Sequence, residues 1–119
     1  MRVKLENGCY KIINYFDEKT KIKNITYYDS NELYHRLDGP ADIIYFENGK
    51  IESKLYFIKG TTHRLDGPAM IWYNRFGKIE GERYGIDGKE YSKEEYYKQP
   101  KVIKKINIER NLKLLNKVI

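Results

Sequence analysis

Only one cysteine, Cys9, occurs in the chain, so no intrachain disulfide can brace it, and a reducing compartment is the simpler expectation. Long apolar runs are missing as well. Met1 to Tyr10 is broken by Arg2, Lys4, Glu6 and Asn7, which argues against a secretory signal or a membrane span and points to a soluble cytoplasmic protein. Phenylalanine and tryptophan are scarce, 4 and 1 against 12 tyrosines, so much of the apolar surface carries a hydroxyl and can be partly wet. With 119 residues the chain is long enough for one modest core and too short for two domains.

What it has in abundance is repetition. His35 to Ala41 reads His-Arg-Leu-Asp-Gly-Pro-Ala, and the same seven residues recur 28 positions later at His63 to Ala69. At that spacing Ile43, Tyr45, Gly49, Lys50, Ile51, Tyr56, Ile58 and Gly60 fall on Ile71, Tyr73, Gly77, Lys78, Ile79, Tyr84, Ile86 and Gly88. A weaker copy runs from Tyr15 and Phe16 through Ile22 to Tyr28. A third heptapeptide is missing, since Tyr91 stands where His63 predicts a histidine. The pattern gives about three units with imperfect outer copies, as in stacked arrays.

Each unit reads as a β-hairpin. Asn7-Gly8 is a hairpin turn within Met1 to Phe16, Asp17 to Lys21 is the next turn, and Ile22 to Tyr28 is a strand rich in β-branched and aromatic residues. Ala41–Phe46 and Ile51–Ile58 flank Glu47 to Lys50; Ala69–Tyr73 and Ile79–Ile86 flank a loop turning at Gly77. The heptapeptide then connects one hairpin to the next. In it Asp38 and Asp66 are expected to cap their own turn, Gly39 and Gly67 to take angles closed to other residues, and Pro40 and Pro68 to end pairing. Leu37 and Leu65 are expected in the core. The fold class is therefore mainly β with a C-terminal helix, an open antiparallel sheet of consecutive hairpins spanning residues 1–91, capped by one or two helices in 92–119.

Ser92 and Glu95 have capping-box spacing, Tyr91 and Tyr96 fit a hydrophobic staple, and Gln99-Pro100 breaks the helix they open. Residues 101–108 suit a strand as well as a helix. Further on, Ile108, Leu112, Leu115 and Ile119 share one helical face, opposite Arg110, Lys113 and Lys117. Charge is also segregated. Residues 1–97 carry 16 basic and 16 acidic side chains, whereas residues 98–119 carry 7 and 1. The excess thus belongs to the tail.

The run Tyr45-Phe46-Glu47-Asn48-Gly49-Lys50-Ile51, then Gly60, then His63 to Ala69 resembles the MORN-variant repeat, in which an aromatic pair precedes an Asn-Gly-Lys turn. The added heptapeptide resembles a form abundant in repeat proteins of giant DNA viruses and some phages; related bacterial repeats are often labelled antitoxin components. The resemblance covers roughly residues 13–92. It implies a viral, phage or bacterial setting, host cytoplasm if viral, inhibition of a host factor or defence system as one role, and no settled catalytic site.

The residues agree with a non-enzyme. His35 and Asp38 recur as His63 and Asp66, but two strands per unit set equivalent positions about 10 Å apart, and ligands of one ion must each lie about 2 Å from it. No metal or other cofactor is expected. Cys9 has no histidine near it in sequence, and Ser30, Ser53 and Ser92 lack nucleophile-elbow glycines. The glycines are spaced as hairpin turns rather than clustered around a phosphate. The principal expectation is protein–protein binding through His35, Arg36, Asp38, Tyr45, Tyr56, His63, Arg64, Asp66, Tyr73 and Tyr84. Two alternatives stand beside it: binding of nucleic acid or another acidic surface through Lys101, Lys104, Lys105, Arg110, Lys113 and Lys117, and sequestration of a small anion by His35, Arg36, His63 and Arg64. A free sheet edge at Met1 to Phe16 leaves room for a homodimer.

Overall fold

A computed structural model of the chain describes residues 1–118. The strands are β1 (Arg2–Lys4), β2 (Tyr10–Tyr15), β3 (Ile22–Tyr28), β4 (Asp42–Tyr45), β5 (Ile51–Leu55), β6 (Phe57–Ile58), β7 (Thr61–Thr62), β8 (Met70–Tyr73), β9 (Ile79–Ile86) and β10 (Lys89–Tyr91). Eight of them form one antiparallel sheet in the order β1-β2-β3-β4-β5-β8-β9-β10, and β6 pairs with β7 apart from it. Every neighbour in the large sheet is the previous or next sheet strand along the chain. This meander of hairpins is the architecture expected from the repeat, with short turns closing the hairpins and the longer segments that hold the heptapeptides joining β3 to β4 and β5 to β8.

The first hairpin turns where Asn7 and Gly8 adopt φ of 57° and 75°, a left-handed pair that a bulkier dipeptide resists. A bulge recurs in the β2–β3, β4–β5 and β8–β9 hairpins, between Asn14 and Tyr15, Ile44 and Tyr45, and Trp72 and Tyr73. The repeat therefore includes its irregularities.

Ile51–Ile58 does not run as one strand. At Tyr56 the backbone leaves the ladder, its N–H donating to Ala69 and its carbonyl accepting from His63. The chain then turns at Lys59 and Gly60, both at positive φ, and returns as β7. The corresponding turn one unit later, Asp87-Gly88, joins β9 to β10, so Ile79–Ile86 stays continuous as expected.

Ser92 caps α1 (Lys93–Tyr96), its hydroxyl accepting from the Glu95 N–H. Pro100 opens α2 (Pro100–Val118), settling residues 101–108 as helix; proline suits a first helical position, where its missing N–H has no partner to lose. The main buried cluster is Tyr84, Ile86, Tyr96 and Val102, with Leu65, Tyr91 and Ile106 against it. It binds the last hairpin to the helices.

The packed face of α2 is not the one expected from periodicity. Val102 is fully buried and Ile106 half-buried, while Ile108, Leu112 and Leu115 are exposed; Ile119 lies outside the described residues. Only the first turns of α2 rest on the body. Among the described residues no helix is long and apolar enough to cross a membrane.

Candidate binding surface

The two heptapeptides fold alike, around their arginines. The Arg36 Nε donates to Asp38 at 3.1 Å and its Nη1 to the Pro40 carbonyl at 3.2 Å, with the guanidinium 4.1 Å from the centre of the Tyr27 ring. In the second copy Arg64 does the same with Asp66 at 3.0 Å, Pro68 at 3.0 Å and the Tyr56 ring at 4.1 Å. A rigid planar fork can make all three contacts at once, which a lysine cannot.

This arrangement explains the glycine. Neither Gly39 nor Gly67 has a positive φ, contrary to expectation. A Cβ at Gly39 would lie 2.8 Å from the Arg36 guanidinium carbon, and one at Gly67 2.9 Å from that of Arg64. The glycine makes room for the arginine. The aspartates also differ from expectation: their carboxylates accept from Arg36 and Arg64 rather than capping backbone N–H groups.

The histidines fasten each junction to the next turn. The His35 Nδ1 accepts the Lys59 N–H at 2.9 Å, and the His63 Nδ1 accepts the Asp87 N–H at 3.0 Å. Asp87 also brings a carboxylate oxygen within 3.2 Å of His63. Among the described residues, no three His, Cys, Asp or Glu side chains converge to hold a metal ion.

A third arginine would have covered Tyr84, the counterpart of Tyr56, but that position holds Ser92. The Tyr96 ring packs on Tyr84 instead, 4.7 Å between centroids, with Tyr97 at 5.7 Å. The Tyr96 hydroxyl donates to the Arg64 carbonyl and accepts from the Gly67 N–H at 3.3 Å. Burial pushes the phenols of Tyr84 and Tyr96 up to about 12, so both keep their protons at neutral pH. Tyr96 thereby ends the array by occupying the missing arginine's place.

Between the two heptapeptides and the side of α2 lies a groove of about 520 Å³. Its apolar lining comes from Leu37, Tyr56, Ile58 and Leu65, and α2 adds Lys105 and Glu109. Leu65 is packed against the core as expected, but Leu37 is 80% exposed at the lip. The difference is positional, because α1 and α2 cover the second heptapeptide and not the first. Burial opposes ionisation of Asp66, yet its bond to Arg64, its contact with Glu109 and the charges of Arg64 and Lys105 outweigh this and hold its carboxyl below the usual range.

Of the expected binding residues, the groove gathers Arg36, Asp38, Tyr56, His63, Arg64 and Asp66. His35 is spent on Lys59. Tyr45 lines a separate recess at the hairpin tips with Phe16, Phe46 and Arg75, Tyr73 lies under the Lys54 ammonium at 5.8 Å, and Tyr84 is buried. In the tail, Lys101 pairs with Asp87 at 3.2 Å and Lys105 with Glu109 at 3.7 Å. Lys104, Arg110, Lys113 and Lys117 are exposed and pair with no other described residue.

Chemically the groove offers apolar side chains interspersed with charges already paired to neighbours. Sequence reasoning missed Tyr27, Tyr96 and Glu109. Tyr27 had a usable signal, since it precedes Arg36 by nearly the interval separating Tyr56 from Arg64; Tyr96 and Glu109 lie outside the repeat and had none. No protein-family model, curated protein or solved structure matches the chain.

Proposed function

We propose that this chain is a non-catalytic binding module of the MORN-variant type, working in a viral, phage or bacterial cell, and that it grips a partner protein in the groove between its heptapeptides and α2. The carrying observation is a groove of mixed apolar and charged lining with an exposed apolar lip at Leu37. Exposed apolar side chains beside a concave surface favour macromolecular contact. The pairing of Arg36 with Asp38 and Pro40, and of Arg64 with Asp66 and Pro68, holds both guanidinium groups rigid at the groove wall, as a preformed contact surface requires.

Site-specific photocrosslinking tests this. A photoreactive side chain at Leu37 should trap one discrete protein from the native host, persisting at raised salt, whereas the same group at Phe76, equally exposed on a hairpin tip, should not. Equal labelling from both positions, or none from Leu37, contradicts the proposal.

A second reading rests on Lys104, Arg110, Lys113 and Lys117, whose charges no described neighbour neutralises. It assigns the tail an acidic surface, nucleic acid included. Such binding would weaken steeply with salt, which separates it from groove binding.

A further inference from the structure

The sheet covers several of its aromatic rings with cations of its own. Arg36 and Lys11 lie on Tyr27, Arg64 on Tyr56, Lys54 on Tyr73, and Arg2, Arg83 and Lys89 on Tyr10, Trp72 and Tyr91. Among the described residues no cation lies over Phe16, Tyr45 or Phe46, whose side chains line a recess of about 440 Å³ at the hairpin tips.

The repeat explains why Tyr45 is bare. Lys54 on β5 stands in register with Ile71 on β8, and its ammonium lies 5.8 Å from the ring of Tyr73, two residues farther along that strand. One unit earlier Ile71 becomes Ile43 and Tyr73 becomes Tyr45, and the residue in register with Ile43 is Ile25. An isoleucine thus stands where the next unit has its lysine. Tyr45 keeps the ring and lacks the cation.

The charges around the recess match that gap. Glu47 and Glu52 line it, both exposed, and neither forms an ion pair with a described residue. Arg75 is the lining cation; its carbonyl accepts from the Asn48 side chain at 3.2 Å, and its guanidinium lies over none of the three rings. Lys23, the nearby cation on β3, does not line the recess. Two carboxylates against one guanidinium leave the lining with a negative excess.

We propose that this recess binds a small quaternary ammonium ion, its trimethylammonium group seated on Phe16, Tyr45 and Phe46, with Glu47 and Glu52 supplying the counter-charge. Ring faces attract a cation through their quadrupole and offer it no lone pairs. A trimethylammonium group has no N–H to satisfy and sheds water readily, whereas a bare ammonium is strongly hydrated. The recess is open to solvent, so binding is weak. The site is separate from the groove beside α2 and does not depend on what that groove holds.

Titration of the full chain with choline, followed by NMR, tests this. Choline should shift the ring signals of Phe16, Tyr45 and Phe46 along saturable curves, and its uncharged carbon isostere, with tert-butyl in place of trimethylammonium, should bind roughly tenfold more weakly. Ile25→Lys restores the lysine of the next unit over Tyr45 and should abolish the shifts, with unmoved Tyr56 ring signals reporting that the fold is kept. Should that variant lose its fold, Glu52→Gln at an exposed position reads the same point, weakening choline roughly fivefold. Arg75→Gln should tighten it. Cosedimentation with phosphatidylcholine vesicles, lost in Ile25→Lys, assigns the group to a lipid headgroup; choline binding without cosedimentation assigns it to a free solute. No saturable shift, equal binding of the uncharged isostere, or unchanged binding by a folded Ile25→Lys or by Glu52→Gln overturns the proposal.

Discussion

The imidazole of His35 accepts a hydrogen bond from the backbone N–H of Lys59 at 2.9 Å, joining residues 24 apart. The same bond joins His63 to Asp87. Each histidine thus ties its own junction to the left-handed turn of the following hairpin, and it does so through an unprotonated Nδ1.

His35→Ala should cost about 1 kcal/mol by leaving the Lys59 N–H without its partner. His35→Asn, which places an acceptor oxygen near the position of Nδ1, should recover most of the loss. Urea denaturation of the three proteins checks this. Equal losses from both variants would mean the ring is valued for packing instead.

Arginine and glycine should behave as one device. Arg64→Ala removes two hydrogen bonds and a stacked cation, for an expected loss of about 2 kcal/mol. Gly67→Ala should cost a similar amount, because its new methyl group displaces the same guanidinium. The double variant should be little worse than either single one, a coupling of the kind a double-mutant cycle reads. Additive losses would separate the two residues.

Tyr96 has two jobs that substitutions can divide. Tyr96→Phe keeps the ring on Tyr84 but loses the hydroxyl bonds to Arg64 and Gly67, at an expected cost of about 1–2 kcal/mol. Tyr96→Ala also empties a fully buried site and should cost about 3–5 kcal/mol, with loss of helical signal from α2. Circular dichroism during thermal unfolding distinguishes them.

Asp42 is buried beside Thr26, whose hydroxyl donates to it at 2.8 Å. Burial raises its carboxyl above the ordinary 3.8, and the Thr26 bond offsets that only in part. A raised carboxyl costs stability when ionised, and the cost fades as pH falls through its folded value. Asp42→Asn keeps an acceptor for Thr26 and removes the buried charge, so it should raise the melting temperature at neutral pH. Its advantage should shrink as the pH falls through the raised value at which the native side chain itself takes up a proton. An advantage that grows toward acid would reverse the assignment.

The meander was legible because turns and strands are local: Asn7-Gly8, Glu47 to Lys50 and Gly77 turn where their dipeptides demand, and the 28-residue spacing repeats them. What the heptapeptide does inside was less legible. Arg36 reaches forward to Pro40 and across to Tyr27, and a side chain's choice among several partners is a tertiary fact. Reading Gly39 as a left-handed turn was reasonable from its Asp-Gly-Pro setting, but its true constraint is the guanidinium lying over it. For α2, periodicity found an apolar stripe at Ile108, Leu112 and Leu115. Burial chose Val102 and Ile106, because Tyr96 and Tyr84 had already placed the start of the helix.

Amide hydrogen exchange at Lys59 and Asp87 is the most direct examination of the repeated segment as a set of internal fasteners. Both amides are expected to be protected in the native chain, with Lys59 alone losing protection in His35→Ala and Asp87 alone in His63→Ala. Free exchange of both amides in the unaltered protein would release the histidines for some other purpose and contradict the account at its root.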